Sequence, residues 1–243
     1  MIPSVAHAQG YTLYVSDMNV TNADSVDGSF YVKFLGHGAF GDPSAPTTPA
    51  PSSPVTIRSN GSILYPDVLS SALGMDVTTN PYGALLIRST TRLLVGARTY
   101  TNASSQAGTF GQYALGVDTT ASSGILGNGE TGRFIGVRDN ATARTNLVVF
   151  SLTSGSCLVQ FELRNANGDL FTGGSQQTRV TPPSTMVQVS GLRSFFSTSD
   201  DVDNASVKVT NMTAGCQLGA IAYVIDGNST PGTNDAFAVP LQK

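Results

Sequence analysis

Gly96-Ala-Arg-Thr-Tyr100 returns near the end of the chain as Gly219-Ala-Ile-Ala-Tyr223, and this recurrence decides the fold. The apolar run at 15–20 likewise returns at 147–152. Further segments recur in the same order: Phe30-Tyr-Val-Lys-Phe34 as Val159-Gln-Phe-Glu-Leu163, and Leu85-Leu-Ile-Arg as Val207-Lys-Val-Thr. Each copy is as long as an ordinary independent domain. The sequence therefore predicts two tandem domains, residues 1–116 and 125–243, joined by a linker at 117–124.

Strand signals rich in Val, Ile, Leu, Phe and Thr recur throughout both copies, separated by clusters of Gly, Asn, Asp and Ser. Seven short strands per copy are typical of an immunoglobulin-like sandwich. We predict an all-β chain of two tandem immunoglobulin-like antiparallel β-sandwich domains. The predicted strands are 3–8, 12–20, 29–35, 54–58, 84–89, 92–101 and 109–115, then 134–138, 145–152, 157–164, 178–181, 205–211, 216–225 and 235–241.

Helical signals are confined to one short segment in each copy. Tyr65 to Leu73 has leucines four residues apart, a proline where a first helical turn tolerates it, and Gly74 as a stop. Its counterpart is Val189 to Phe196. We expect a single helical turn at each place.

The segment 42–54 is rich in proline and resembles an interdomain linker by composition. Matching strands lie on both sides of it within the first copy, so we predict an extended surface loop of domain 1. It is either a partner-binding or O-glycosylated arm or a tolerated insertion. The second copy has 170–177 at the equivalent position.

Charged residues make up only 12% of the 243 residues, and the net charge is −3. The absence of a basic cluster excludes the usual mode of nucleic-acid binding, and no apolar run is long enough to span a bilayer. The Ser-, Thr- and Asn-rich surface suits an extracellular or cell-surface protein. Ala6-His-Ala8 resembles a signal cleavage site, but the repeat favours a first strand there, with Met1 as an added start residue.

The two cysteines, Cys157 and Cys216, both lie in the second copy. Alternation along each segment places both on a buried face, so they can form a disulfide between strands. The alternative is a pair of buried free thiols. The first copy has Gly28 and Leu93 at the matching positions, so its fold cannot depend on such a bridge.

Catalytic signals are weak throughout the chain. The only histidines are His7 and His37, and no nucleophile motif accompanies them. His37 lies in Gly36-His-Gly38, which predicts an exposed loop histidine, and the two histidines lack the spacing of a zinc site. We expect neither an enzyme nor a bound cofactor or metal.

The carboxylates and arginines also give only weak signals of a ligand site. Glu162 is predicted on the outward face of its strand, away from any partner carboxylate. The cluster Asp200-Asp201-Val-Asp203-Asn204 could hold calcium, but it lacks the spacing of a calcium loop. Arg98 and Arg144 are expected to fix neighbouring loops or cover apolar surface.

Glycan binding is the other possibility that the residues raise. The chain has no Trp, but Tyr82 and Tyr113 are candidate ligand-facing aromatics, with packing as the favoured alternative. Tyr11 and Tyr14 could contribute. Asn-x-Ser/Thr sequons, which the Ser- and Thr-rich composition itself produces in number, occur at Asn19, Asn60, Asn102, Asn140, Asn204, Asn211 and Asn228.

Several stretches of the sequence are informative when taken together: Gly96-Ala-Arg-Thr-Tyr100 with Ala107-Gly-Thr-Phe-Gly-Gln-Tyr113, Gly136-Val-Arg-Asp, Arg144-Thr-Asn-Leu-Val, and Ala222-Tyr-Val-Ile-Asp226 with Phe237-Ala-Val-Pro240. These stretches resemble a tandem, immunoglobulin-like β-sandwich region of secreted bacterial proteins. The resemblance covers nearly the whole chain. It implies a fold but no catalytic residue, because that family has no established activity. The Pro-rich loop and the cysteine pair depart from its pattern.

The sequence favours a non-catalytic extracellular structural or adhesive protein. Such a chain could assemble with itself or with other cell-surface proteins, using Ile2 to Ala8 and Phe237 to Leu241 for strand exchange. The alternative is a carbohydrate-binding module of a secreted system.

Overall fold

A computed structural model of the chain describes residues 1–6, 8–9, 13–42, 48–101, 111–120, 124–171, 175–226 and 235–243. His7, Tyr11, Asn102, Asn228 and the stretch 107–110 therefore lie outside the described residues. The described part consists mainly of β-strands, which confirms the predicted all-β class. It divides into two compact units: Met1–His37 with Thr47–Val117, and Gly38–Pro46 with Asp118–Lys243.

The described part of unit 1 contains two antiparallel sheets. Its strands are β1 (Ile2–Ala6), β2 (Ala8–Gln9), β3 (Leu13–Asn22), β4 (Gly28–Gly36), β5 (Val55–Ile57), β6 (Ser62–Tyr65), β7 (Tyr82–Ser89), β8 (Leu93–Thr101) and β9 (Gly111–Leu115). One sheet has the order β1-β7-β4-β5. The other has the order β6-β3-β8-β9, and β2 also pairs with β3. The helix α1 (Val68–Ser71) and a 3-10 turn (Val77–Thr79) lie between β6 and β7.

The core of unit 1 draws side chains from both sheets. Phe30 and Leu85 from one sheet and Met18 and Val20 from the other belong to one buried cluster. The two sheets of unit 1 therefore share one core. Strand β1 is part of this packing, because all five of its residues are buried and its backbone pairs with β7.

The described part of unit 2 repeats this plan. Its strands are β10 (Ile125–Leu126), β11 (Thr131–Asp139), β12 (Ala143–Ser151), β13 (Cys157–Arg164), β14 (Gln176–Thr181), β15 (Met186–Ser190), β16 (Val202–Asn211), β17 (Leu218–Asp226) and β18 (Asp235–Pro240). One sheet has the order β11-β16-β13-β14, and the other has the order β15-β12-β17-β18 with β10 also on β17. The helix α2 (Leu192–Phe196) follows β15.

Strand order is therefore the same in both units. Position by position, β1-β7-β4-β5 corresponds to β11-β16-β13-β14, and β6-β3-β8-β9 corresponds to β15-β12-β17-β18. The recurring segments in the sequence fall on equivalent strands. Gly96 of β8 and Gly219 of β17, for example, lie near the starts of matching strands.

The structure contains short strands that the sequence patterns did not reveal. β6 and β15 occupy segments where we predicted the approach to a helix, and with the two-residue strands β2 and β10 the described part of each unit has nine strands instead of the predicted seven. β6 has only four residues, too few for a clear alternation. Each helix is a single short turn, as expected, but is shorter than its predicted range.

The two units differ from the predicted domains at two places, one of which is the predicted linker 117–124, since Val117 belongs to unit 1 and the chain from Asp118 onward to unit 2. The sequence assigned all of 1–116 to domain 1, whereas Gly38–Pro46 belongs to unit 2. Strand periodicity could not predict this, because the described part of this segment, residues 38–42, forms no strand. Within the rest of the predicted Pro-rich loop, the Ser52 N–H donates to Val32 O at 2.8 Å, so the chain has rejoined unit 1 by that point.

Candidate binding face

The most exposed apolar surface of unit 1 lies on one side of its β6-β3-β8-β9 sheet. Along β8, Leu93, Val95 and Ala97 pack on the core, so the alternate residues point away from it. Cross-strand pairing then builds rows on that side. We define the outer face of unit 1 as the rows Leu64–Asn19–Gly96–Leu115, Asp17–Arg98–Tyr113 and Ser62–Thr21–Leu94.

Four large side chains on this outer face are exposed: Leu64 (56%), Leu94 (63%), Tyr113 (54%) and Leu115 (68%). Isolated exposed apolar residues are common on soluble proteins, but grouped ones usually mark a contact surface. The sequence prediction named only Tyr113 among these four. The missed signal is two adjacent apolar residues in a strand, as in Ile63-Leu64 and Leu93-Leu94, since one of the two must point outward.

Tyr113 lies across Gly96 of the neighbouring strand. A Cβ atom added to Gly96 would collide with the hydroxyl end of Tyr113, so the ring rests on bare backbone. An aromatic ring that covers a glycine stabilises a sheet. It also gives this face a flat aromatic surface that is still 54% exposed.

Polar groups adjoin the aromatic surface. The Arg98 guanidinium lies 5.0 Å from the centre of the Tyr100 ring, a cation–π distance. The Tyr100 hydroxyl donates to the Asp17 carboxylate at 3.2 Å, and the Asp67 N–H donates to the same carboxylate at 2.9 Å. Burial, together with the negative charge of Asp17 and this hydrogen bond, raises the pKa of Tyr100. These contacts hold Arg98 and Tyr100 in place beside Tyr113.

Tyr82, the second predicted ligand-facing aromatic, lies in a different sheet. It begins β7, and its ring centre is 5.1 Å from that of His37. The His37 N–H donates to Tyr82 O at 2.9 Å. Removal of part of the His37 ring from water lowers its pKa, which favours the neutral imidazole. Tyr82 and Tyr113 therefore do not share one sheet face.

The disulfide between Cys157 and Cys216 is formed, as predicted, with a Cα–Cα distance of 5.9 Å. Cys157 begins β13 in one sheet of unit 2, and Cys216 precedes β17 in the other. Both are buried within the core cluster. The bridge thus links the two sheets of unit 2 covalently.

Glu162 lies on the side of β13 opposite the core residues Phe161 and Leu163, as predicted, but it is only 7% exposed. The Arg164 guanidinium donates to its carboxylate at 2.7 Å, and Lys208 Nζ donates to the other oxygen at 3.1 Å. Burial opposes ionisation and is the largest single influence. The hydrogen bonds and positive charges of the two cations together outweigh it, so the pKa of Glu162 lies below its ordinary value.

This depressed pKa gives a pH-dependent contribution to stability. The contribution is present above the ordinary glutamate pKa near 4.5 and is lost as pH falls through the lower folded-state value. We expect Glu162→Gln to lower the free energy of unfolding by about 1–2 kcal/mol at pH 7 and by much less at pH 2. Urea unfolding of the wild type and the variant at both pH values measures these free energies. Glu130→Gln is the control: the pKa of Glu130 is also lowered, by Lys243 and by the Gly127 N–H, but its carboxylate lies at the surface, where water screens the ion pair. A loss of equal size there would contradict the assignment.

The acidic cluster 200–204 uses its carboxylates for protein contacts. Asp201 accepts a hydrogen bond from Arg193 at 3.1 Å, and Asp203 accepts one from Asn140 at 2.8 Å. Among the residues that the structure describes, no three His, Cys, Asp or Glu side chains converge on a point that could hold a metal ion. Within the same residues, no helix is long and apolar enough to cross a bilayer.

No protein-family model matches the chain, and no curated protein matches its sequence. Among solved structures, a cryo-EM structure of broad bean stain virus is similar at a TM-score of 0.30 and 6% identity, over 91% of this chain and 79% of that chain. A structure of infectious bursal disease virus, Gx strain, has a TM-score of 0.16 and 11% identity, over 96% of this chain and 63% of that chain. Similarities at this level support no conclusion about family or function.

Proposed function

We propose that the chain is a non-catalytic extracellular structural or adhesive protein, built from two tandem immunoglobulin-like domains. The observation that carries the proposal is the outer face of unit 1, where four large apolar side chains are exposed together. Covering such a face with a partner contributes free energy in proportion to the apolar area removed from water. The disulfide supports an oxidising, extracellular location.

The outer face is a better contact surface than the first strand, for which we predicted exchange between copies. Ile2 and Val5 are fully buried, and the Met1 amino group donates to Val117 O at 2.9 Å. Releasing β1 would expose the core of unit 1. The outer face can bind a partner with no such cost.

A pair of charge substitutions tests this use of the outer face. We expect the wild-type chain to self-associate, and Leu94→Asp with Leu115→Asp to reduce the association constant by about tenfold or more. The melting temperature should change little, because both side chains are exposed. Light scattering over a concentration series measures the association. An adhesion assay of the same proteins on a cell-wall preparation tests binding to other surface proteins.

Ile135→Asp is the matched control, because Ile135 is a large apolar residue of unit 2 that is 52% exposed. It should leave association unchanged. Equal association and adhesion by all three proteins would exclude the outer face as the contact surface.

Carbohydrate binding is the second candidate function, and the position of Tyr113 on Gly96 favours it. A flat exposed ring beside hydrogen-bonding side chains is how proteins commonly hold a pyranose ring. Arg98 and Asn19 are the exposed polar neighbours on the same face.

We expect glycan-array binding to be lost in Tyr113→Ala and retained in Tyr31→Ala. Tyr31 is also exposed but lies on β4 in the other sheet. An array without a positive signal for the wild-type chain would remove this function and leave the structural one standing.

A further inference from the structure

Unit 2 has an open surface pocket beside its disulfide. Two loops line this pocket, residues 153–156 and 213–216, and Cys216 ends the second loop. Four of these eight residues are Ser or Thr, and none of the eight is charged. The pocket has a volume of about 410 Å³, which is enough for a small organic molecule. It is therefore a polar, neutral site that admits an anionic reagent without repulsion from its own walls.

The two cysteines of the disulfide differ in their access to this pocket. Cys157 is fully buried and lies behind the pocket wall, whereas Cys216 is 5% exposed and forms part of that wall. A Cβ added to Gly155 or to Gly215, one in each loop, would meet no atom within 4 Å, so both positions leave open space. Thiol–disulfide exchange depends on access to the sulfur that is attacked. A small reagent in the pocket therefore approaches the bridge from the Cys216 side.

Two hydroxyl groups adjoin the buried sulfur. The hydroxyl oxygen of Ser151 lies 3.3 Å from Cys157 Sγ, and that of Thr153 lies 3.6 Å from it. The Ser151 N–H donates to Thr185 O at 2.9 Å, which fixes the backbone that carries the first hydroxyl. When the S–S bond breaks, these hydroxyls can donate to a Cys157 thiolate and stabilise its charge. Cys157 is therefore the better leaving sulfur, and Cys216 is the accessible one.

We propose that Cys216 is a site of reversible modification by low-molecular-weight thiols. The thiolate of such a molecule enters the pocket and attacks Cys216 Sγ, so that a new S–S bond forms between the two sulfurs. The Cys157–Cys216 bond breaks at the same time, and its electron pair stays on Cys157 as a thiolate. Attack by Cys157 on Cys216 then expels the small thiolate and restores the bridge. Attack by a second small thiolate on the added sulfur instead releases Cys216 as a thiolate and forms the small disulfide.

This exchange makes the covalent link between the two sheets of unit 2 reversible. While Cys216 carries the small thiol, the two sheets are no longer joined by the bridge, and unit 2 loses the stability that the bridge provides. Unit 1 contains no cysteine and is unaffected. The stability of unit 2 thus depends on the thiol concentration around the protein. The chemistry does not involve the outer face of unit 1, so it stands independently of the proposed function.

Glutathione is the probe that tests this site. The folded, full-length chain is incubated with excess glutathione, the reaction is stopped at early times with N-ethylmaleimide, and the modified peptides are identified by mass spectrometry. We expect glutathione on Cys216 and maleimide on Cys157. The rate should rise in proportion to the glutathione concentration and stay nearly constant in urea concentrations that leave the chain folded. An adduct mainly on Cys157, a folded chain that does not react, or a rate that follows unfolding in urea would overturn the proposal.

A pair of variants tests the role of the two hydroxyls. Ser151→Ala with Thr153→Val should slow adduct formation by roughly tenfold, because both hydrogen bonds to the departing thiolate are lost. Thr181→Val is the matched control, since the buried Thr181 hydroxyl donates to the Cys157 carbonyl oxygen at 3.2 Å instead of to its sulfur. It should react at the wild-type rate. Melting curves establish that each variant is folded in the assay, and equal rates in the two variants would contradict the assignment of Cys157 as the assisted leaving sulfur.

Discussion

Replacing Cys157 and Cys216 by alanine should lower the free energy of unfolding of unit 2 by about 4 kcal/mol. The bridge closes a loop with a sequence separation of 59 residues, and its loss restores the conformational freedom of that loop in the unfolded chain. The effect is large because a domain is stabilised by only about 5–15 kcal/mol. Both cysteines are buried, so alanine also removes some packing.

Unit 1 is the internal control for this experiment, because it has Gly28 and Leu93 where unit 2 has the cysteines. Urea unfolding followed by hydrogen-exchange mass spectrometry reports on peptides from each unit separately. Protection should fall in unit 2 and stay constant in unit 1. Equal losses in both units would show that the bridge does not act locally.

Gly219→Ala and Gly96→Ala should have very different effects, although the two glycines are equivalent in the repeat. A Cβ on Gly219 would collide with the ring of Phe150, its direct partner across β12 and β17, and Phe150 is fully buried. Overpacking of this kind costs about 1–3 kcal/mol. A Cβ on Gly96 meets only the end of the exposed Tyr113 side chain, which can swing away.

The Gly96→Ala variant should therefore stay within about 0.5 kcal/mol of the wild type. Chemical unfolding of the two variants under the same conditions compares the costs directly. A similar cost at both positions would mean that backbone conformation, and not the covering side chain, decides what these glycines do.

The predictable parts of this fold are those that depend on alternation along a strand. The Cys157-Leu-Val-Gln-Phe161 pattern placed Cys157 on the buried face, and the structure confirms the bridge that follows from it. The repeat also placed corresponding segments on corresponding strands. These inferences succeed because side-chain direction in a strand has a fixed period of two.

The rest depends on contacts between distant segments, which periodicity does not encode. The segment Gly38-Ala-Phe-Gly-Asp42 forms no strand or helix, and its place in unit 2 follows from Phe40 and two backbone hydrogen bonds. The burial of Glu162 depends on Lys208, 46 residues further along the chain. The sequence identified only Tyr113 on the outer face, because alternation can show that a leucine points outward, but the register of β6, β3, β8 and β9 decides which leucines lie on the same face.

The single disulfide gives the two units different mechanical extensibility. When a chain is pulled from its ends, an unfolded segment lengthens by at most about 3.3–3.6 Å per residue. Because Cys157 and Cys216 are bonded to each other, the segment between them, with a sequence separation of 59, cannot extend. The bridge therefore removes about 200 Å from the extended length of unit 2. Under load, unit 1 can unravel completely, whereas unit 2 yields only the segments outside the bridge and retains a closed loop.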